Sequence, residues 1–223
     1  MTGCKGKKTR KVPTRADHPL RIIGGKFRRT VLKYSGDPAT RPMKDRVREA
    51  VFNLLGKAVQ GTVAIDLFAG TGAIGLEAIS RGADQAIFFE RSHATARILR
   101  KNAASLSVAD RTETVVADTL LWFRRHPLED GRVDPAGTTF AEGELRPAMT
   151  ADKPWCVFFS PPWELFTSRG DDMLWLIAQF MRHAPRGSLI IVESDEAFDL
   201  QALSRFEDWD VRHYPPAVIA IWE

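Results

Sequence analysis

From Val63 onward the apolar positions fall into short continuous runs, each too short for a buried helix and closed by a glycine, acid or other polar residue. VAIDLF (63–68), AIFFE (86–90), the stretch 112–117, WCVFF (155–159) and SLIIVE (188–193) read as five strands. Between them the spacing lengthens to that of amphipathic helices, over 70–80 (closed by Gly82), 92–105, 119–125 and roughly 171–183. Short apolar strands alternating with helices predict a parallel sheet covered on both faces. Two final apolar runs, 209–214 and 217–222, meet at Pro215 and Pro216, too close for a crossover helix, and are expected to pair antiparallel.

Two regions lie outside that rhythm. Ahead of it, 40–55 predicts a helix that starts at Thr40 and Pro42, carries Val47, Val51, Leu54 and Leu55 on one side and charges on the other, and ends at Gly56. The interval 127–153 has three prolines, three glycines, many acids and few large apolar side chains, and reads as an exposed insertion. The division expected is a basic disordered tail at 1–20, a basic segment with its helix at 21–60, and one α/β domain over 61–223. A chain of 223 residues with 44% apolar content supports one sizeable core.

Charge is uneven along the chain. The total is +4, yet residues 1–33 hold eleven Lys or Arg against one acid, Asp17, leaving 21 basic and 27 acidic residues for the rest. A basic arm on a mildly acidic body is the pattern of a polyanion binder, because neutralising phosphates releases counterions. Arg21, Lys26, Arg28, Arg29 and Lys33 are the candidate nucleic-acid contacts, since Ile22, Ile23, Phe27, Val31 and Leu32 alternate with them and can pin the segment to a surface. For residues 1–18 a solvated tail explains the charge equally well. No apolar run is long enough for a membrane span or a signal peptide, so a cytoplasmic protein is expected, without membrane contact and monomeric. Cys4 and Cys156 have no metal-ligand spacing around them.

The candidate chemistry collects at the C-terminal ends of the strands, where open α/β sheets bind ligands. The first strand runs into Asp66-Leu-Phe-Ala-Gly-Thr-Gly, a glycine-rich turn whose backbone can approach a ligand closely. The loop alone fits a dinucleotide, a phosphate or nothing, but Asp66 suits a cationic amino-acid group or its water shell and repels a pyrophosphate. Glu90, about twenty residues on, is placed to accept ribose hydroxyls, and Asp118 to accept from an adenine amino group. Each acid alone reads as readily as a strand terminus or helix cap; three behind one glycine loop point to a nucleoside carrying a charged amino acid. After the fourth strand, Ser160-Pro161-Pro162-Trp163 forms a rigid loop, with carbonyls to accept from a target amino group and an aromatic face for a flipped-out base. A Pro-Pro turn with a core tryptophan is the plainer alternative.

DLFAGTGAIGLEA followed by SPPW resembles the amino methyltransferases whose fourth motif is Asp/Asn/Ser-Pro-Pro-aromatic. RIIGGKFRR and TRPMKDRVREAVFNLL are more specific and resemble the bacterial small-subunit (16S) ribosomal RNA guanine-N2 methyltransferases, from about Arg21 to the C-terminus with the insertion left out. The parallel strands and terminal hairpin match the seven-stranded Rossmann-like methyltransferase sheet. The resemblance implies that fold, S-adenosyl-L-methionine as cofactor, ribosomal RNA or the assembled small ribosomal subunit as partner, and a methylated guanine amino group as product. It places Arg41 and the following helix at the cofactor's border, Asp66, Gly70 and Gly72 at its methionine part, Glu90 at its ribose and Asp118 at its adenine. Phe68 and Arg91 join the cofactor set, and Ser160, Pro161, Pro162 and Trp163 form the target-base site.

The family normally carries Asp where this chain has Ser160, and a hydroxyl brings no charge to the developing cation on nitrogen. A slower enzyme, a different base, or another acid such as Glu164 are the readings that follow. Transfer is expected to be direct, without a metal or covalent intermediate, and Cys156 to be packing rather than a nucleophile. Methylation of DNA adenine or a protein glutamine, a weakened RNA-binding assembly factor, and a nicotinamide-dependent oxidoreductase are the alternatives, the last disfavoured by Asp66 and the hairpin ending.

Overall fold

The computed structural model describes residues 19–34, 36, 43–129, 132–133, 152–199, 201–204 and 208–223. Its main sheet has seven strands, β1 (Val63–Asp66), β2 (Gln85–Phe89), β3 (Thr112–Val115), β6 (Trp155–Phe159), β7 (Leu189–Asp195), β8 (Asp210–Tyr214) and β9 (Ala217–Trp222), in the order β3-β2-β1-β6-β7-β9-β8. The first five are parallel, while β9 pairs antiparallel with β7 and β8 with β9, as the meeting of two apolar runs at a Pro-Pro turn predicts. The chain winds outward from β1 to β3 and then returns to the other side of β1 with β6. This reversal opens a crevice beyond the carboxyl ends of β1 and β6.

The helices are α1 (Asp45–Leu55), α2 (Ala73–Arg81), α3 (His93–Ser105), α4 (Thr119–Arg125), α5 (Glu164–Ser168), α6 (Gly170–His183) and α7 (Gln201–Ser204). Alternate strand residues face opposite ways, so the sheet separates two apolar layers. Ala64, Phe88, Cys156, Phe158 and Ile191 pack with residues of α1, α2 and α3; Ile65, Phe89, Val157, Phe159 and Ile190 pack on the other side with α4 and α6. Gly75 is set by this packing, because a Cβ there would stand 2.4 Å from the Phe88 ring.

Several boundaries differ from the sequence reading. The helix expected from Thr40 begins at Asp45 with Lys44 (φ −57°, ψ 141°) ahead of it, and 40–42 lie outside the described residues. Its predicted faces are also corrected: Leu54 is exposed, whereas Phe52 and Arg48 are buried. Arg48 can be inside because its guanidinium donates to the carbonyls of Met43 and Arg21 and to Asp45. α2 begins at Ala73 rather than 70, since Gly70 and Gly72 take positive φ in the preceding loop. The short α5 has no counterpart in the sequence reading. At the insertion, Leu128 is buried against the sheet and leads into a small hairpin of β4 (Leu128–Glu129) and β5 (Arg132–Val133), while 134–151 lie outside the described residues.

The basic segment is tied down. Arg21 and Val31 bridge antiparallel, and the turn between them is held on α2: Glu77 accepts the amides of Ile23 and Gly24, both at 2.7 Å, and Ser80 accepts that of Phe27 at 2.9 Å. Gly25 has φ +72° and passes so close that a Cβ would meet the Ser80 carbonyl oxygen at 1.8 Å. Asn102 of α3 holds the other end, accepting from the Lys33 amide and donating to its carbonyl. The RIIGGKFRR stretch is therefore a folded clip, with residues 1–18 outside the described residues.

Candidate active site

A cavity of about 900 Å³ opens at the crevice beyond β1 and β6, within the ~300–1,000 Å³ of ordinary ligand sites. At one end it is lined by Phe68, Gly70, Thr71, Glu90, Arg91 and Asp118, and at the other by Ser160, Pro161, Pro162, Trp163, Glu193 and Tyr214. The expected cofactor and target-base residues thus share one continuous space. Arg41 lies outside the described residues, but Met43 and Lys44 just after it line the cavity. Asp66 and Gly72 are not among the lining residues: Gly72 has turned left-handed (φ 86°) to start α2, and Asp66 is fully buried beneath the loop.

The glycine loop is shaped by two carboxylates. Asp66 Oδ2 accepts the Gly75 amide at 3.2 Å, while its Oδ1 is buried with no hydrogen-bond partner among the described residues. Burial pushes the Asp66 carboxyl up to about 7, with the Gly75 and Phe68 amides opposing and the charge of Glu90 adding to the rise. Glu90 accepts the Gly70 amide at 2.9 Å through one oxygen and the Ser92 amide at 2.7 Å through the other. That fixes the carboxylate against the loop at the mouth of the cavity.

Asp118 sits beyond the end of β3 rather than in it. It caps α4 by accepting the Leu121 amide at 3.0 Å and pairs with Arg169 at 3.3 Å. Arg169 also holds Asp172, which pairs with Arg124, and Arg124 stacks on Trp175 at 3.8 Å. These contacts link α4 to α6 and anchor the segment just after α5.

At the other end, Trp163 packs partly against the apolar layer and starts α5. The Pro162 carbonyl, expected to wait for a target amino group, accepts the Leu165 amide at 2.9 Å. Ser160 continues the register Phe159↔Val192, which brings it opposite Glu193, and its hydroxyl donates to Glu193 Oε2. Glu193 is 6% exposed, and burial raises its carboxyl above the ordinary range while the serine hydroxyl works against the rise. Glu164, the acid nearest in sequence, is exposed. Cys156 is buried in the sheet, and burial pushes its thiol up. Sequence reasoning missed Glu193 although the rule that found Asp66, Glu90 and Asp118 covers it: it ends the apolar run SLIIVE.

Arg21, Lys26, Arg28, Arg29 and Lys33 are all exposed on the clip and do not line the cavity. Arg21 pairs with Asp45 at 3.2 Å, and Lys26 lies 5.5 Å from the Phe27 ring centre. No helix of the described residues is long and apolar enough to cross a membrane.

The strand order, terminal hairpin and cavity at the switch point define a Rossmann-like methyltransferase fold, and solved structures show it. A hypothetical protein of Thermus thermophilus has a TM-score of 0.64 at 23% identity, covering 92% of this chain and 99% of its own. An RNA methyltransferase from Salinibacter ruber in complex with S-adenosyl-L-homocysteine has a TM-score of 0.53 at 16% identity, covering 82% and 92%. Residues 20–135 match the family described as Conserved hypothetical protein 95, and the chain belongs to that family. The Ribosomal RNA small subunit methyltransferase D of Escherichia coli (strain K12) is 43% identical over 91 residues, 41% of this chain and 46% of that protein. The match spans about half the length of that relative.

Proposed function

We propose that this chain is an S-adenosyl-L-methionine-dependent methyltransferase acting on an exocyclic amino nitrogen of ribosomal RNA, with guanine N2 of the small subunit the favoured target. The observation that carries the reading is the single cavity with a nucleoside-type cradle at one end and the SPPW loop at the other. Named relatives support the RNA class, since the matched Escherichia coli protein is called a small-subunit ribosomal RNA methyltransferase.

The residues present fit the cofactor. Asp66 lies beneath the loop and outside the cavity lining, so its carboxylate acts on a cationic amino group through its charge rather than by direct contact. Thr71, on the same loop, has a buried hydroxyl without a partner among the described residues. Glu90 is held where a carboxylate can accept ribose hydroxyls beyond the two amides it already takes. Asp118 and Phe68 border the adenine position, with Arg91 at the rim. When bound, the sulfonium supplies an already activated methyl group, so no strong base is required. The protein's work is to hold the amine in line and exclude water. Trp163 gives the flipped base a stacking face, the two prolines keep the loop rigid, and Ser160 meets the amino group. The exposed cations of the clip bind phosphate outside the cavity.

The test is transfer of labelled methyl from the cofactor to naked ribosomal RNA, assembled small subunits and DNA, followed by nucleoside analysis. N2-methylguanosine from small-subunit RNA is the expected product. Label confined to DNA, or absent from every substrate while the cofactor binds, overturns the reading.

A further inference from the structure

The acid that position 160 lacks stands on the neighbouring strand. We infer that Glu193 is a positioning residue of the target site, orienting the Ser160 hydroxyl so that its oxygen accepts from the target amine while its proton points away. The inference rests on the methyltransferase reading above.

A free serine hydroxyl is ambiguous at such a site. It can accept from an amine N–H, or it can turn and donate to the nitrogen lone pair, which blocks attack on a methyl group. Here the ambiguity is removed, because the Ser160 proton is committed to Glu193 Oε2 across the β6–β7 register. Its oxygen is left with lone pairs only, and hydrogen bonding to a carboxylate makes that oxygen a stronger acceptor. Both side chains line the cavity beside Trp163 and Tyr214, so the pair faces the space where a base is expected. Glu193 is almost fully buried. Burying an acid costs free energy, and this one is bonded to a serine with which it lines the cavity.

The pair also has a use after transfer. As nitrogen gains the methyl group it sheds one proton, which passes to Ser160 Oγ while the hydroxyl proton passes to Glu193. The result is a neutral amine, an unchanged serine and a protonated carboxyl that returns its proton to water. The raised carboxyl of Glu193 suits it to hold that proton.

The experiment measures steady-state methyl transfer to small-subunit RNA, with S-adenosyl-L-homocysteine affinity and melting temperature as controls, for the wild type, Glu193→Gln, Ser160→Ala, their double variant, and Ser160→Asp with and without Glu193→Gln. Glu193→Gln is expected to lower kcat at least about tenfold with KM and cofactor affinity little changed. The double variant with Ser160→Ala should be no worse than Ser160→Ala alone, because the two residues act as one unit. In the Ser160→Asp background, where position 160 carries its own carboxylate, Glu193→Gln should cost less than about threefold. Additive losses, an equal loss in the Asp background, or wild-type kcat in Glu193→Gln each overturn the inference. If Glu193→Gln does not fold, Glu193→Asp, whose shorter side chain draws the carboxylate back from the Ser160 hydroxyl, decides: wild-type kcat overturns the inference, and a roughly tenfold fall with intact cofactor binding supports it. A wild type that methylates no RNA overturns the functional reading and this inference together, whereas an active wild type indifferent to Glu193 overturns the inference alone.

Discussion

Asp66 carries a stability cost beneath the glycine loop of the proposed cofactor site. An unfolded aspartate titrates near 3.9, whereas burial holds this one at about 7. Between those values the folded state carries more protons than the unfolded one. Stability therefore falls as pH rises through that window, and the deficit is complete above about pH 7. Asp66→Asn removes it: the variant should melt above the wild type at pH 8, with the gap closing as pH falls towards 4. The same carboxylate attracts a cationic amino group only when ionised, so wild-type affinity for S-adenosyl-L-homocysteine should rise from pH 6 to pH 8, and that of the variant should be weaker and flatter. Calorimetry at both pH values checks this, and an Asn variant that melts lower at pH 8 or binds as the wild type does would contradict it. The position of Asp66 was legible because a glycine loop follows an apolar strand. Its concealment beneath the loop was not, since that depends on how tightly α2 packs against Phe88 through Gly75.

Among the elements, the amino-terminal clip departs furthest from what the sequence conveys. Alternating apolar and charged residues announced contact with a surface, and Ile22 and Leu32 are indeed buried. What could not be read was the partner, because Glu77 looks like an ordinary charge on an amphipathic helix. In the structure it is fully buried, accepts two clip amides, pairs with Arg81 at 2.8 Å and stands 3.9 Å from Arg48. Removing one member of such a buried group leaves the others uncompensated, typically ~3–5 kcal/mol. Glu77→Ala should therefore lower stability by about that amount in chemical unfolding and raise hydrogen exchange at Ile23 and Gly24. Gly25→Ala, which cannot be accommodated beside the Ser80 carbonyl, should loosen the same clip with a smaller loss. A Glu77→Ala variant as stable as the wild type would show that the clip is not held as described. The strands themselves were read closely, WCVFF to the residue, because a buried parallel strand writes its limits in an unbroken apolar run. Helix starts were less legible: glycines and prolines ahead of a helix mark a loop without saying how long it is.

At the scale of the molecule there are two surfaces, the cavity at the strand ends and the exposed cations of the clip, which do not line it. If the clip holds phosphate, reversing Lys26, Arg28 and Arg29 to Glu should weaken RNA binding at every sequence and reduce the salt slope by roughly one per lost phosphate contact. Cofactor affinity should not change, and filter binding at several salt concentrations checks both expectations. The division of labour inside the cavity is the central claim, and it is tested most directly by S-adenosyl-L-homocysteine binding and single-turnover transfer measured on the same two variants, Glu90→Ala and Trp163→Ala. The expected result is that Glu90→Ala loses cofactor affinity, whereas Trp163→Ala keeps it and loses transfer, in line with the ~1–3 kcal/mol of a base stacked on an aromatic side chain. Wild-type transfer by Trp163→Ala, or unchanged cofactor affinity in Glu90→Ala, would contradict it.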